Sequence, residues 1–315
     1  MYDGIYNAVP LFDIGANLLD TMYDGIYNGK RAHAPDLEHV LRRAAAAGVT
    51  DLIVTSGSLE DSRRALALVR SLRASSPVRL SCTVGVHPTR CDEFEQPGEN
   101  GAPPTTAAQL LEVVRDGMAD GSVVAIGEIG LDYDRLHFCA VEVQQRGFEV
   151  QLQLAESTGL PLFLHNRNTS GAFAAVMCAH KGLRGVVHSF DGGMDEMREL
   201  TALGLFIGIN GCSLRTEENL RVAASVPLGK LLIETDAPWC QVRPTHAGAK
   251  LVATKFAEVK KESWSAESCV KSRNEPSHCR QVLEILAAIR EYPVTELGAA
   301  VHQNARSLFY GGASA

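Results

Sequence analysis

Four short apolar runs in this chain each lead to a side chain able to hold a metal ion or move a proton. Val123-Val124-Ala125-Ile126-Gly127 reaches Glu128, Leu162-Phe163-Leu164 reaches His165, Gly185-Val186-Val187 reaches His188, and Leu231-Leu232-Ile233-Glu234-Thr235 reaches Asp236. Short uninterrupted apolar runs rich in branched residues are the pattern of strands buried on both faces. A carboxylate at such a position is costly unless something positive meets it. Glu128 also lies between Gly127 and Gly130, where backbone or substrate has to come close. Taken singly, Glu128 reads equally well as half of a corner ion pair with Arg135, and each histidine as a packed core or surface residue. The recurrence favours a shared site. Two imidazoles and two carboxylates suit a divalent ion such as Zn2+, Mn2+ or Fe2+, whereas Mg2+ prefers oxygen ligands and fits best if two ions share the site.

Such a site needs a scaffold that gathers strand ends. Eight apolar runs occur at fairly even intervals, at 11–18, 51–57, 80–88, 123–132, 161–167, 185–190, 205–212 and 231–238. Helical patterns lie between them, at 34–47, 58–73, 106–117, 141–157, 170–180, 194–203 and 217–224, and a last helix is expected at 277–290. Strands alternating with helices in this way predict an α/β fold, a (β/α)8 TIM barrel. A doubly wound open sheet is the alternative, but it calls for a glycine-rich phosphate loop after the first strand, and Gly15-Ala16-Asn17 is not one. In a barrel the carboxyl ends of the strands share one mouth, where Glu128, His165, His188 and Asp236 would converge. Two polar inserts, 96–105 and 260–276, read as loops over that scaffold. Residues 11–312 are expected to form a single domain. Met1-Tyr2-Asp3-Gly4-Ile5-Tyr6-Asn7 recurs as Met22-Tyr23-Asp24-Gly25-Ile26-Tyr27-Asn28, and the first copy reads as part of an extension, 1–10, outside the core.

Composition narrows the function classes. The chain has 315 residues, 45% hydrophobic and 21% charged, with a mean hydropathy of −0.02, as in an ordinary globular protein. A net charge of −7 and a pI near 5.8 argue against a broad basic nucleic-acid groove, though not against a small site whose positive charge comes from metal. The eight cysteines form no C-x-x-C pair and read as free thiols of a reducing compartment, cytoplasm or nucleus. No apolar stretch is long enough for a membrane span, and no secretion signal is visible. No membrane and no obligate protein partner are expected.

Seven motifs, in order, resemble the TatD family of metal-dependent deoxyribonucleases. They are Phe12-Asp13-Ile14-Gly15-Ala16-Asn17-Leu18, Gly85-Val86-His87-Pro88, Gly127-Glu128-Ile129-Gly130-Leu131-Asp132, Leu164-His165-Asn166-Arg167, Val187-His188-Ser189-Phe190-Asp191-Gly192, Glu234-Thr235-Asp236-Ala237-Pro238-Trp239 and Arg273-Asn274-Glu275-Pro276. The likeness spans about residues 11–309. It is similar above all to the eukaryotic branch, in Ile207-Gly208-Ile209-Asn210-Gly211-Cys212-Ser213 and Thr245-His246-Ala247-Gly248. The resemblance implies an amidohydrolase-type barrel that cuts DNA phosphodiesters, often as a 3′→5′ exonuclease, with one or two divalent ions (Mg2+, Mn2+ or Zn2+). It implies that Glu128 bridges two ions, that His165 and His188 hold one, that Asp236 holds or faces the other, and that His87 lies near substrate phosphate. Many relatives start strand one with Asp-x-His-x-His; here Gly15 and Asn17 stand at the histidine positions, and Asn17 is at best a weak oxygen donor.

Phosphoryl transfer at metal needs charge neutralisation more than a covalent nucleophile. Asp236 is the candidate general base, with a ligand-only role equally open. Arg167 is a candidate phosphate clamp, and His87 a phosphate contact or a ring packed on Pro88. Arg273 and Glu275 are expected to pair and brace the mouth, Trp239 to pack under its loop or stack a base, and Cys212 and Cys240 to act as small buried fillers. DNA is the expected substrate. The rivals are hydrolysis of another ester or amide, such as an aminoacyl-tRNA linkage, and a barrel that binds nucleic acid without turnover.

Overall fold

A computed structural model describes residues 9–97 and 104–311. The first copy of the repeat, most of the 96–105 loop and the proposed domain limit at 312 lie outside the described residues.

Eight parallel strands make one sheet in sequence order: β1 (Leu11–Ala16), β2 (Val49–Val54), β3 (Arg79–Val84), β4 (Val123–Asp132), β5 (Leu162–Arg167), β6 (Gly185–Val187), β7 (Phe206–Ile209) and β8 (Leu231–Ile233). The ring closes between β8 and β1. Ala16 bridges to Ala237, Asp236 N–H donates to the Gly15 carbonyl at 2.8 Å, and Asn17 N–H donates to the Ala237 carbonyl at 2.6 Å. Helices α1 (Leu37–Ala46), α2 (Leu59–Leu72), α3 (Thr106–Ala119), α4 (Val141–Thr158), α5 (Ala172–Ala179), α6 (Met194–Ala202) and α7 (Glu217–Ser225) fill the crossovers, and α8 (Cys279–Ile289) follows β8. This is the (β/α)8 barrel.

Local chemistry sets several of these ends. The Ser58 hydroxyl accepts from Asp61 N–H and starts α2, and Thr216 with Asn219 forms a capping box at α7. Asp36, in the same position before α1, leaves its helix uncapped because its carboxylate is engaged by Arg273 and Trp264.

Two apolar layers result. Leu, Val and Ile on the outer faces of the strands pack against the helices. Inside the ring, Phe12, Ile14, Ile53, Phe163, Val186 and Leu232 form a separate core. Burying each such side chain contributes about 1.5–3 kcal/mol.

The chain departs from expectation after residue 290. A further helix, α9 (Val294–Phe309), follows the expected last one, with Leu297, Val301, Ala305 and Leu308 on its buried face. Pro293 reads as punctuation that ends structure, but here it stands at the N-cap. Ala305, Leu308 and Phe309 close the inner core from the end opposite the metal-competent residues, with Phe12 stacked on Tyr310. The 260–276 insert is also less irregular than its composition suggests, since Glu258–Val259 pairs in parallel with Cys269–Val270. The second repeat copy forms a 3-10 turn (Thr21–Asp24) and a short hairpin (Ile26–Tyr27 with Lys30–Arg31), with Tyr23 buried beneath the Arg273 guanidinium.

Candidate metal centre

Glu128 sits where the pairing of β4 with β5 shifts register, between Gly127 and Ile129. The close approach expected at the flanking glycines is made by the neighbouring strand. A Cβ on Gly130 (φ 140°) would lie 1.9 Å from the His165 carbonyl oxygen. With β4 and β5 pressed together, the Glu128 carboxylate projects into the mouth. Its Oε1 lies 2.8 Å from His165 Nδ1, 2.9 Å from His188 Nε2 and 3.4 Å from His87 Nε2. The strands β3, β5 and β6 thus each bring one imidazole to a single carboxylate oxygen.

His87, read from sequence as a phosphate contact or a packed ring, is a full member of this group. Its ring meets His165 edge-on at 4.7 Å, and the donor atoms of His87, Glu128 and His165 lie within 4.8 Å of one another. Arg135 does not pair with Glu128. It turns to Asp132, 3.7 Å away.

Two further carboxylates, missed in the sequence, orient the imidazoles from behind. Asp132 Oδ2 meets His165 Nε2 at 3.2 Å, so both ring nitrogens of His165 face carboxylates. Glu234 is fully buried and accepts from Ser189 N–H at 2.5 Å and from Asn210 Nδ2 at 3.2 Å, which fixes the loop carrying His188. Asp132 closes the same motif that holds Glu128, and Glu234 precedes Asp236 by two residues. Adjacent acids at strand ends were the available signal.

Asp236 lies across the mouth from the imidazoles. Its Oδ1 accepts from Asn17 Nδ2 at 2.8 Å, and its Oδ2 accepts from the Cys240 thiol at 3.1 Å. Asp236, Cys240 and Ser189 all adopt left-handed backbone (φ 53°, 53° and 50°), a strained conformation for residues with side chains. Asp13 holds this corner, accepting from both the backbone N–H (2.9 Å) and hydroxyl (2.5 Å) of Thr235.

Burial opposes charge on every one of these groups, and their neighbours decide the outcome. Glu128 is desolvated, yet the His188 and His87 charges and the His165 hydrogen bond hold it well below the usual carboxylate range. His188 is desolvated too, but Glu128 and Glu234 push it well above the ordinary imidazole value. Asp132 and Glu128 likewise raise His165, whereas burial prevails at His87 and lowers it. At Asp236 burial outweighs the His188 charge, and the carboxyl is pushed up to about 6.

The mouth is a cavity of about 770 Å³. Arg90, Arg135, Arg167 and Arg243 line it with Asn17 and Trp239. Arg167 lies within 3.8 Å of Asp191 rather than at the carboxylate cluster. Trp239 is not packed under its loop: 51% of it is exposed, while its carbonyl is held by Asn274 Nδ2 at 2.7 Å. Among the described residues no helix is long and apolar enough to cross a membrane.

Residues 12–310 match the family described as TatD related DNase. The chain belongs to that family. It is 42% identical over 306 residues to the deoxyribonuclease Tat-D of Schizosaccharomyces pombe, covering 96% of each chain. It is 33% identical over 304 residues to the 3′-5′ ssDNA/RNA exonuclease TatD of a Pantoea species, covering 95% of this chain and 99% of that one. A solved TatD-family hydrolase from Entamoeba histolytica superposes with a TM-score of 0.90 at 36% identity, covering 96% of this chain and 99% of that one.

In this TatD-family chain the donor set fits a divalent cation. Imidazole and carboxylate donors converge on one point, and Asp132 supplies the outer hydrogen bond that metal-bound histidines commonly have. His188 Nδ1 is buried without a hydrogen-bond partner, 3.6 Å from Glu234. The β1 side of the mouth differs. A Cβ on Gly15 would stand 2.7 Å from Phe163 Cζ and 3.0 Å from Glu234 Oε2, so a ligating side chain there would have to displace the Phe163 ring. Phe163, stacked on His188, fills that space, and the residue just past β1, Asn17, reaches Asp236 at the mouth.

Proposed function

We propose that this protein is a divalent-metal-dependent deoxyribonuclease that hydrolyses DNA phosphodiesters from the 3′ end. The observation that carries the reading is the single Glu128 oxygen ringed by His87, His165 and His188. Names of relatives, deoxyribonuclease and 3′-5′ exonuclease, support the substrate class. Glu128, His165 and His188 would hold one ion, with His87 beside them. Asp236 would face a second, and Mg2+, Mn2+ and Zn2+ are the ions to test. Bound there, such an ion supplies Lewis-acid activation of water and phosphoryl oxygen.

The chain's own side chains do the rest. Asp132 and Glu234 fix the imidazoles, so their donor atoms need no reorganisation when substrate arrives. Asp236, with its carboxyl pushed up to about 6, takes the proton of the attacking water at Oδ2. Arg167 and its three companions at the rim meet the strand's phosphates, and Asn17 faces the scissile group from β1. The half-exposed Trp239 stacks a base, which suits an unpaired end. Cytoplasm or nucleus is the proposed location, supported by eight cysteines of which none is in a disulfide.

The test is release of nucleotides from a 3′-labelled oligonucleotide by wild type and Glu128→Gln across the three metals, with chelator controls. The variant should lose about 10²–10³-fold in rate, the equivalent of a few kcal/mol of transition-state stabilisation. Equal rates for the two proteins, or wild-type activity that survives EDTA, would refute the assignment.

A further inference from the structure

Cys212 and Cys240, expected as buried fillers, meet at the edge of the mouth. They leave the barrel from adjacent strand ends, after β7 and β8, and their sulfurs lie 3.0 Å apart in a thiol–thiol hydrogen bond. Both are half-buried and line the cavity, so small solutes reach them. No other thiol–thiol hydrogen bond is found among the described residues. The two loops are pressed together: a Cβ on Gly211 would lie 2.0 Å from the Cys240 carbonyl oxygen. Cys240 is further pinned by its left-handed backbone and by Asn274, which grips the preceding carbonyl.

From this geometry we propose that Cys212 and Cys240 are a modification site, a reversible disulfide made when a hydroperoxide oxidises the pair. A sulfur–sulfur bond is about 2 Å long, so the sulfurs need to close by only about 1 Å. Two thiols and one R–O–O–H give one disulfide, R–OH and water. The two sulfurs together lose two electrons and two protons, the O–O bond accepts the electrons, and one S–S bond forms as two S–H bonds break. A dithiol reverses the step by exchange.

Oxidation has a local consequence. The Cys240 S–H is the donor to Asp236 Oδ2, and the disulfide removes it while tethering two adjacent loops at one edge of the mouth. Loss of rate on oxidation rests on the nuclease reading; the disulfide itself does not.

The experiment treats the full-length, fully reduced protein with hydrogen peroxide and maps cysteine pairs by non-reducing peptide mass spectrometry, with and without later dithiothreitol. The expected product is a Cys212–Cys240 cross-linked peptide that dithiothreitol dissolves and that Cys212→Ser cannot form. Nuclease rate should fall about fivefold to tenfold on oxidation, the kinetic equivalent of one lost hydrogen bond, and recover with dithiothreitol. Cys212→Ser should keep the basal rate and ignore peroxide. If both thiols still alkylate after peroxide, or if the link forms elsewhere, such as between Cys91 and Cys139, the proposal is overturned. A correct link with an unchanged rate overturns the regulatory half alone. If no form of the protein has activity, the nuclease reading fails while the peptide map still decides the disulfide.

Discussion

Asn274 is the joint through which a remote brace holds the corner that carries Asp236, and its removal makes a demanding test of the role proposed for that carboxylate. Its side-chain NH2 donates to the Thr235 carbonyl at 2.9 Å and the Trp239 carbonyl at 2.7 Å, gripping both ends of the turn that carries Asp236. Asn274 is itself held between Arg273 and Glu275. Arg273 binds Asp36 through two bonds, at 2.9 and 2.6 Å, and Glu275 at 2.9 Å, while Arg43 grips Glu275 at 2.8 and 3.0 Å. Asn274→Asp keeps the shape but turns a donor into a charge facing two carbonyl oxygens. Each neutral hydrogen bond contributes about 1 kcal/mol net, and each buried acceptor left bare costs about 1 kcal/mol or more. The sum is roughly 2–4 kcal/mol, or a melting temperature lower by about 4–8 °C in a chain of this size. Because the turn carries a left-handed Asp236, its relaxation should lower kcat by more than tenfold at a temperature where the variant is fully folded. Calorimetry and steady-state kinetics on the same preparation measure both. A variant that melts within a degree of wild type and turns over normally would show that the brace does not position Asp236.

Three other changes probe separate parts of the molecule. Trp239→Ala should raise KM for single-stranded oligonucleotides by about five- to 150-fold, from a stacking contribution of about 1–3 kcal/mol per base. Trp239→Phe should restore most of it. An equal loss on a small phosphodiester that lacks a base would count against stacking. Arg273→Met takes the doubly bonded cation from the buried Asp36, leaving it Trp264 Nε1 at 2.9 Å and the more distant Arg43 at 3.8 Å, and should destabilise the fold by about 3–5 kcal/mol in chemical denaturation; a shift under 1 kcal/mol would show the network to be dispensable. At the closed end of the barrel, burial pushes Asp51 up, but hydrogen bonds from His302 and Thr50 outweigh it and hold its carboxyl below the usual value. Its stabilising effect is therefore present above the ordinary carboxylate range and lost as pH falls through the lowered value. Asp51→Asn should melt a few degrees below wild type near pH 7, and the gap should close toward pH 3. A gap independent of pH would contradict that linkage.

The barrel was legible because buried parallel strands leave an unmistakable trace: runs such as 123–132 and 205–212 tolerate almost no polar side chain until they reach the mouth. Glu128, His165 and His188 stood out for the same reason, as polar groups where apolar ones were due. Asp132 and Glu234 fit that rule equally well, but an acid beside an acid carries no mark of which one faces the site and which one supports it. Their roles depend on rotamer and register, including the shift at Gly127, that spacing does not encode. His87 follows Gly85-Val86 at a bend, and only the closure of the ring brings it next to His165. Pro293 ahead of helix α9 and Gly298 within its buried face weaken the helical signature of a segment that tertiary packing then stabilises. Gly15 became intelligible only when Phe163 was seen filling the space beside it.

Since α9 stoppers one end of the inner core, the molecule is a cup and not a tube. A strand cannot be threaded through it. Whatever reaches the floor arrives and departs by one doorway, and a cleaved nucleotide has to leave past the polymer that has just been shortened. Crowding at that threshold sets arrival against clearance, so the cup suits nibbling at a terminus and offers no passage for long unbroken travel along a chain.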